Sequence, residues 1–260
     1  MPEKEKPPVS VLVITQAEPR LLRQCLESSH WAREIVVVDA GSSPAARAVC
    51  EQLATRVIAH DWEGFGRQRQ FALKQAQQEW VLMLDTDEIV PDALASEIAA
   101  RVAHPQGHAG FFIPRLNHFA GRPLRHGGNW PDYVLRLFLC AAAGYPSSPV
   151  HERPTVEGNL GRLREPLLHY SYADVADAVA RLNRYSTLAA QHGSAGLWPT
   201  PLKGLCLGLC RFIGDYFLRL GFLDGYPGLV LAALKSHYVL QRHVKARELR
   251  RRKQPSKEPK

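Results

Sequence analysis

Repeated changes of hydrophobic period across residues 9–102 limit this chain more than any other feature. Val9–Thr15 (VSVLVIT) and Glu34–Ala40 (EIVVVDA) are apolar runs rich in β-branched residues. Such runs, apolar on both faces, suit strands buried inside a parallel sheet. Arg56–His60 and Trp80–Asp85 continue the series. Helical patterns lie between them. Leu21, Leu22, Cys25 and Leu26 share one face, Ala45–Leu53 forms a second helix, and Phe71, Leu73, Lys74 and Ala76 belong to a third. Ala93–Val102 follows the fourth strand. Strand and helix in alternation predict an α/β fold with a mostly parallel, doubly wound sheet.

Ligands of such sheets sit beyond the carboxyl ends of the strands. The acids of this sequence fall there: Glu18 after the first strand, Asp39 ending the second, Asp85 and Asp87 ending the fourth. LMLDTDEI is the sharpest local signal, an apolar strand running into Asp85-x-Asp87-Glu88. Two carboxylates one residue apart at a strand end can share a divalent cation through oxygen. Mg²⁺ or Mn²⁺ prefers such hard ligands, and phosphate oxygens then complete its shell.

From Phe111 to Tyr172 glycine, proline, arginine and histidine are dense, with short apolar pieces such as Val134–Leu139. His126–Tyr133 (HGGNWPDY) reads as a polar, aromatic loop of the kind that lines a site. Trp130 and Tyr133 suit either sugar stacking or core packing. Beyond Tyr172 the pattern is helical, with Val175, Val179, Leu182 and Tyr185 on one face. After a break at Trp198–Pro201 come two more helical stretches, 202–223 and 227–242. The expected organisation is an α/β domain over 8–172, a helical, membrane-associating extension over 173–248, and a disordered basic tail over 249–260.

Charge and cysteine usage narrow the setting. The net charge is +8, yet 245–260 alone holds eight Lys/Arg against two Glu. The body is nearly neutral, which argues against a nucleic-acid coat and for a local electrostatic contact. Five scattered cysteines form no disulfide framework, so a reducing, cytoplasmic compartment is expected. Cys206 and Cys210, one helical turn apart, read as small packing residues. The N-terminus lacks the apolar core of a secretory signal. The apolar stretch 202–223 is interrupted by Lys203, Arg211, Asp215 and Arg219. Each such charge costs about 2.5–3.5 kcal/mol at mid-bilayer, which favours a helix lying in the interface over a full crossing.

VSVLVIT, EIVVVDAGS, EGFGRQRQFAL, WVLMLDTDE, GGNWPD, RLF, VHE and LLHYSY, in this order, resemble family 2 glycosyltransferases of the GT-A fold. The resemblance covers roughly residues 8–245. It is narrowest to the lipopolysaccharide core β-1,4-glucosyltransferases that add glucose to an inner-core heptose. It implies a UDP-sugar donor, a lipid-linked core oligosaccharide acceptor, a peripheral place on the inner membrane and inversion at the transferred sugar. The implied roles follow the motifs. Thr15, Glu18 and Asp39 would hold the uridine and ribose; Asp85 would lie near ribose and metal; Asp87 would bind the metal. Gly64–Gly66 with Arg67, Gln68 and Arg69 would approach the nucleotide. His151 or His169 would supply a late metal ligand or a phosphate contact, against the plainer reading of a structural loop histidine. The base that deprotonates the acceptor would be Glu152 or Asp132, with Glu152 placed first.

The chain departs from the family in two places. Ala17 stands where the family usually has Asn, and Ser42-Ser43-Pro44 where it usually has Ser-Thr-Asp. Rival readings are a transferase of another surface glycan with a different donor, and a non-catalytic basic protein binding membrane or nucleic acid. LMLDTDEIV also resembles the nucleophile motif of haloacid-dehalogenase-type phosphatases. That motif belongs on a domain's first strand with Thr or Val where this chain has Ile89. No GxSxG, Walker or GxGxxG pattern is present.

Overall fold

The computed structural model describes residues 5–17, 20–146, 153–192 and 200–253. The chain begins with β1 (Val9–Ala17), α1 (Leu22–Glu27), β2 (Glu34–Ser42), α2 (Pro44–Leu53), β3 (Arg56–Ala59), α3 (Phe65–Gln75) and β4 (Trp80–Leu84). Next come β5 (Glu88–Ile89), α4 (Asp92–Ala103), β6 (His108–Phe119), β7 (Arg122–Pro123) and β8 (Asp132–Leu139). The short strands β9 (Ala143–Gly144), β10 (Thr155–Val156), β11 (Asn159–Arg162) and β12 (Leu167–His169) follow. The described chain closes with α5 (Val175–Gln191), α6 (Pro201–Ile213) and α7 (Gly225–Lys253). A π-helical turn (Gly214–Leu218) and a 3₁₀ turn (Gly221–Asp224) lie between the last two.

These elements form two compact units. The first holds the residues up to Leu116 together with Asp132–His169; the second holds Asn117–Pro131 and the residues from Tyr170 onward. The loop from His126 to Pro131, placed by sequence in the α/β domain, therefore packs with the helices.

In the first unit the strand order is β3-β2-β1-β4-β8-β6-β12-β5. Strands β3, β2, β1 and β4 are parallel; β8 is antiparallel to β4, and β6 to β8. This is the mostly parallel α/β sheet that the period changes imply. Its central strands are apolar throughout because both faces are covered. Val9, Val11 and Val13 of β1, Ile35 and Val37 of β2, and Trp80, Leu82 and Leu84 of β4 face one core. Leu22, Cys25 and Leu26 of α1, Cys50 of α2, and Leu94 and Ile98 of α4 join that core. The intervening residues, Leu12, Ile14, Val36, Val38, Val81 and Met83, face the other way and meet Ala72 and Leu73 of α3. Full burial of each large side chain contributes roughly 1.5–3 kcal/mol. Ser43 caps α2, accepting from the Ala46 N–H, and Pro44 opens that helix, which gives the unusual Ser42-Ser43-Pro44 a structural use.

In the second unit Phe119, Leu124, Ala178 and Leu231 form a small core. Lys245 of α7 donates to Asn183 O and Oδ1, Ser186 Oγ and Thr187 Oγ1 at 2.6–3.0 Å, fastening α7 to α5. Helix α6 meets α7 through Gly204 and Gly208. A Cβ added at Gly208 would lie 2.9 Å from the Ser236 carbonyl oxygen, so the backbones touch where a side chain would stand.

Three expectations change here. The α5 face of Val175, Val179, Leu182 and Tyr185 is not the packed one: Val175, Val179 and Tyr185 are exposed, while Ala178, Ser186 and Ala190 are buried. Close approach of α7 selects small side chains over apolar ones. Cys206 and Cys210 are exposed on α6 instead of packed. The tail expected to be disordered from 249 is helical to Lys253, aided by an Arg252–Glu248 pair one turn apart; 254–260 lie outside the described residues.

Candidate active site

Sheet register brings the strand-end residues to one edge. Thr15 pairs with Asp39 across β1 and β2, while Val13 pairs with Leu84 across β1 and β4. The chain after β4 therefore leaves beside the end of β1, with Asp39 on the other flank. Asp39 is buried; its Oδ1 accepts from the Ser42 N–H at 2.8 Å, and Arg47 Nη1 lies 3.9 Å from its Oδ2. Thr15 Oγ1 is buried without a hydrogen-bond partner among the described residues, a polar atom left for something else to satisfy. Glu18 lies outside the described residues. At Ala17 the backbone is left-handed, φ 57, next to an irregularity in β1. Asn, the residue usual in the family, enters that region more readily than Ala.

The turn after β4 is held by a ladder of alternating charge. Arg69 Nη2 donates to Asp85 Oδ1 at 2.7 Å, and Arg136 Nη2 donates to Asp85 Oδ2. Arg136 also donates to Glu88 Oε1 at 2.7 Å, and Glu88 Oε2 accepts the Asp85 N–H at 2.9 Å. Arg115 reaches Glu88 at 3.5 Å and grips Asp132 Oδ2 with Nε and Nη2, at 3.0 and 2.7 Å. Burial alone would raise the Asp85 pKa, but Arg136 and Arg69 outweigh it and hold the carboxyl well below the usual range. Burial, helped by the Asp85 charge, pushes Glu88 up. Burial opposes the Arg136 charge, yet Asp85 and Glu88 keep that guanidinium more firmly protonated than usual.

Arg136 reaches this position through a bulge. Phe111 pairs with Leu137 and Phe112 with Leu135, so Arg136 is the extra residue of β8. A bulge re-aims the side chain it carries.

On the other side of the turn, β12 pairs antiparallel with β5, setting His169 opposite Glu88. His169 Nε2 lies 3.6 Å from Asp87 Oδ1. Burial and the Arg115 charge hold the imidazole down at about 3, so at neutral pH the ring is uncharged and keeps a lone pair. Asp132 also acts electrostatically on His169, which places it in the same neighbourhood.

The arrangement differs in part from the one expected. Asp87 and His169 come together, but Asp85 gives both carboxylate oxygens to arginines and is not open to a cation in this state. Among the described residues no three His, Cys, Asp or Glu side chains form a metal-binding group. Gln68, expected at the nucleotide, is buried: its Nε2 donates to His60 O at 3.2 Å, and its Oε1 meets His60 Nδ1 at 3.1 Å. Arg67 is exposed on α3. Asp132 begins β8, half-exposed, whereas His151 and Glu152 lie outside the described residues. Tyr133 is exposed with the Arg162 guanidinium over its ring, 4.8 Å from the centroid. Sequence reasoning gave Arg136 and Arg115 no role; Arg136 sits in the RLF motif, but its bulge depends on the β6 register.

Comparison with known proteins shows the family. The family model for glycosyl transferase family 2 matches residues 10–138, a span that includes Thr15, Asp39, Asp85, Asp87 and Asp132. The lipopolysaccharide core biosynthesis glycosyltransferase LpsC of Rhizobium meliloti (strain 1021) is 31% identical over 263 residues, covering 93% of this chain and 96% of LpsC. The chain belongs to glycosyl transferase family 2. A Rickettsia conorii (strain Malish 7) relative, the uncharacterized glycosyltransferase RC0292, is 31% identical over 92% of this glycosyltransferase and 90% of its own length. Among solved structures, the mannosyltransferase PcManGT of Pyrobaculum calidifontis, in complex with GDP-Man and Mn²⁺, superposes with a TM-score of 0.52. At 17% identity, over 94% of this chain and 88% of that one, it shows a common GT-A fold. The reading as a non-catalytic basic protein falls away, since this glycosyltransferase is an enzyme.

Proposed function

We propose that this glycosyltransferase moves a hexose, glucose from UDP-glucose, onto a heptose of a lipopolysaccharide core, with inversion. Two things support the reading: the relationship to LpsC along nearly its whole length, and the convergence of Asp87 and His169 at the end of β4. The second carries most weight. A hard carboxylate and an uncharged imidazole 3.6 Å apart suit Mg²⁺ or Mn²⁺, with diphosphate oxygens filling the remaining positions.

Each residue has a physical task. Asp39 and Thr15 bind the nucleoside at the ends of β2 and β1, where Thr15 Oγ1 has an unused hydrogen-bonding capacity. Asp87 and His169 would hold the cation, which neutralises charge developing on the departing diphosphate. Asp85 stays in the second rank, fixed by Arg69 and Arg136, and keeps the turn rigid. Asp132 takes the proton from the acceptor hydroxyl; Arg115 fixes its Oδ2 and so orients the carboxylate. Glu152 is the alternative for that step.

The test is a nucleotide-sugar panel with purified core acceptor, with and without Mn²⁺ or Mg²⁺, run beside Asp87→Ala and His169→Ala. Transfer should need UDP-glucose and metal and fall by about 10²-fold or more in Asp87→Ala. Undiminished transfer in both variants, or without metal, would overturn the assignment. Transfer from another donor would keep the enzyme and change the sugar.

A further inference from the structure

We infer that α6 and the elbow joining it to α7 are a membrane-embedding device, entering one leaflet of an anionic bilayer without crossing it. This rests on the helical unit alone and holds whatever sugar the enzyme transfers.

Over the two turns between Lys203 and Arg211 helix α6 is apolar around its whole circumference, yet it is not buried. Of residues 201–211 only Gly204 and Gly208 are buried, and these are the two that touch α7. Leu202, Leu205, Leu207 and Leu209 stand in the open, Leu202 at 70% exposure. The elbow continues this surface with Phe217, Leu218 and Leu223, Leu218 at 78%. A helix apolar all round belongs in an apolar surrounding. These side chains project from convex helices and not from a groove, which suits a fluid partner.

Length decides how far it enters. At 1.5 Å per residue, α6 is about 20 Å long, short of the roughly 30 Å hydrocarbon core. Among the described residues no single helix is long and apolar enough to cross a membrane; 201–218 and 221–252 meet the test only as a pair bent by 72°. Gly204 lies against His243 and Gly208 against Ser236, so α7 runs back along α6 toward the side from which the chain entered.

Charge selects the lipid. Lys203, Arg211 and Arg219 border the apolar surface, and buried Asp215 pairs with both Arg211 (2.5 Å) and Arg219 (3.0 Å). Three bases stand against two acids here, and both acids, Asp215 and the His126-bound Asp224, have side chains almost wholly buried, so the exposed border is cationic, complementary to anionic headgroups, with Tyr226 exposed at the rim as aromatic anchors are. Lys245 is bound to α5 and Arg252 to Glu248.

The test is flotation of the full chain with phosphatidylcholine vesicles, with and without phosphatidylglycerol, beside the double variant Leu205→Ser/Leu209→Ser. Both positions are exposed, so the fold should persist, which circular dichroism and UDP binding check. The native chain should float with anionic vesicles, and the double variant should partition roughly tenfold or more weakly. Exposed Cys206 and Cys210 report depth: a water-soluble maleimide should label both in buffer and be slowed several-fold by anionic vesicles. Equal flotation of both proteins, undiminished labelling, or no flotation of the native chain would overturn the inference. So would a native dimer that the double variant turns to monomer with no change in lipid binding, since a second copy would then be the partner of this face.

Discussion

Arg136 donates a 2.7 Å hydrogen bond to Glu88, a carboxylate with no solvent exposure, while its same nitrogen holds Asp85. One buried guanidinium thus bridges two acids on opposite sides of the turn that carries Asp87, with Arg69 on Asp85 and Arg115 on Glu88 supplying further balancing charge. Removing it leaves uncompensated charge in the interior. Arg136→Met should destabilise the protein by about 3–5 kcal/mol. Adding Glu88→Gln should restore part of that loss. Urea denaturation of the single and double variants measures both.

The two candidates for the base separate by kinetics. Asp132→Asn keeps the shape beside Arg115 and removes the proton acceptor. If Asp132 is the base, kcat should fall by about 10²–10⁴-fold while UDP affinity stays near the native value. Glu152→Gln should then cost far less. The reverse ranking would move the role to Glu152.

Tyr145 predicts an alkaline limb of stability. Burial pushes its phenol up to about 12 from an ordinary value of 10, and its hydroxyl has no hydrogen-bond partner among the described residues. The folded state therefore resists ionisation. Stability is full below pH 10 and declines by about 1.4 kcal/mol per pH unit as pH rises toward 12. Tyr145→Phe should remove this slope and leave stability at pH 7 unchanged or higher by up to about 1 kcal/mol. Melting temperatures between pH 7 and 12 compare the two proteins.

Gly208 sets the distance between α6 and α7. Gly208→Ala would put a methyl group 2.9 Å from the Ser236 carbonyl oxygen, where no flexible side chain can give way. The helices must part, at a cost of about 1–3 kcal/mol. Limited proteolysis should show faster cleavage in the helical unit, with UDP binding retained.

Features of this protein were legible where they depend on local pattern. The buried strands β1, β2 and β4 announce themselves as unbroken apolar runs, and the acids Asp39 and Asp85 follow from where those runs stop. Long-range register hides the rest. The resemblance singles out His169, but only the pairing of β12 with β5 sets it opposite Glu88, and Arg136 turns inward because β8 carries one residue more than β6 at Phe111–Phe112. Gln68 looked like a nucleotide ligand because it lies in a motif that the resemblance sets beside the nucleotide; its amide is committed to His60, a contact across eight residues that no periodicity displays. On α5 the apolar stripe misled because steric room, and not hydrophobicity, chose Ala178 and Ala190 as the packed face.

Strand β8 bears both Asp132 and Arg136. The group proposed to activate the acceptor and the cation that steadies the donor-side turn are therefore fixtures on one rod. Heat, pressure or a core substitution that lets this rod slide by a single rung would unseat both at once. Loss of activity should then come as one sharp step, without a stage in which the donor is still handled correctly and only the acceptor chemistry has failed.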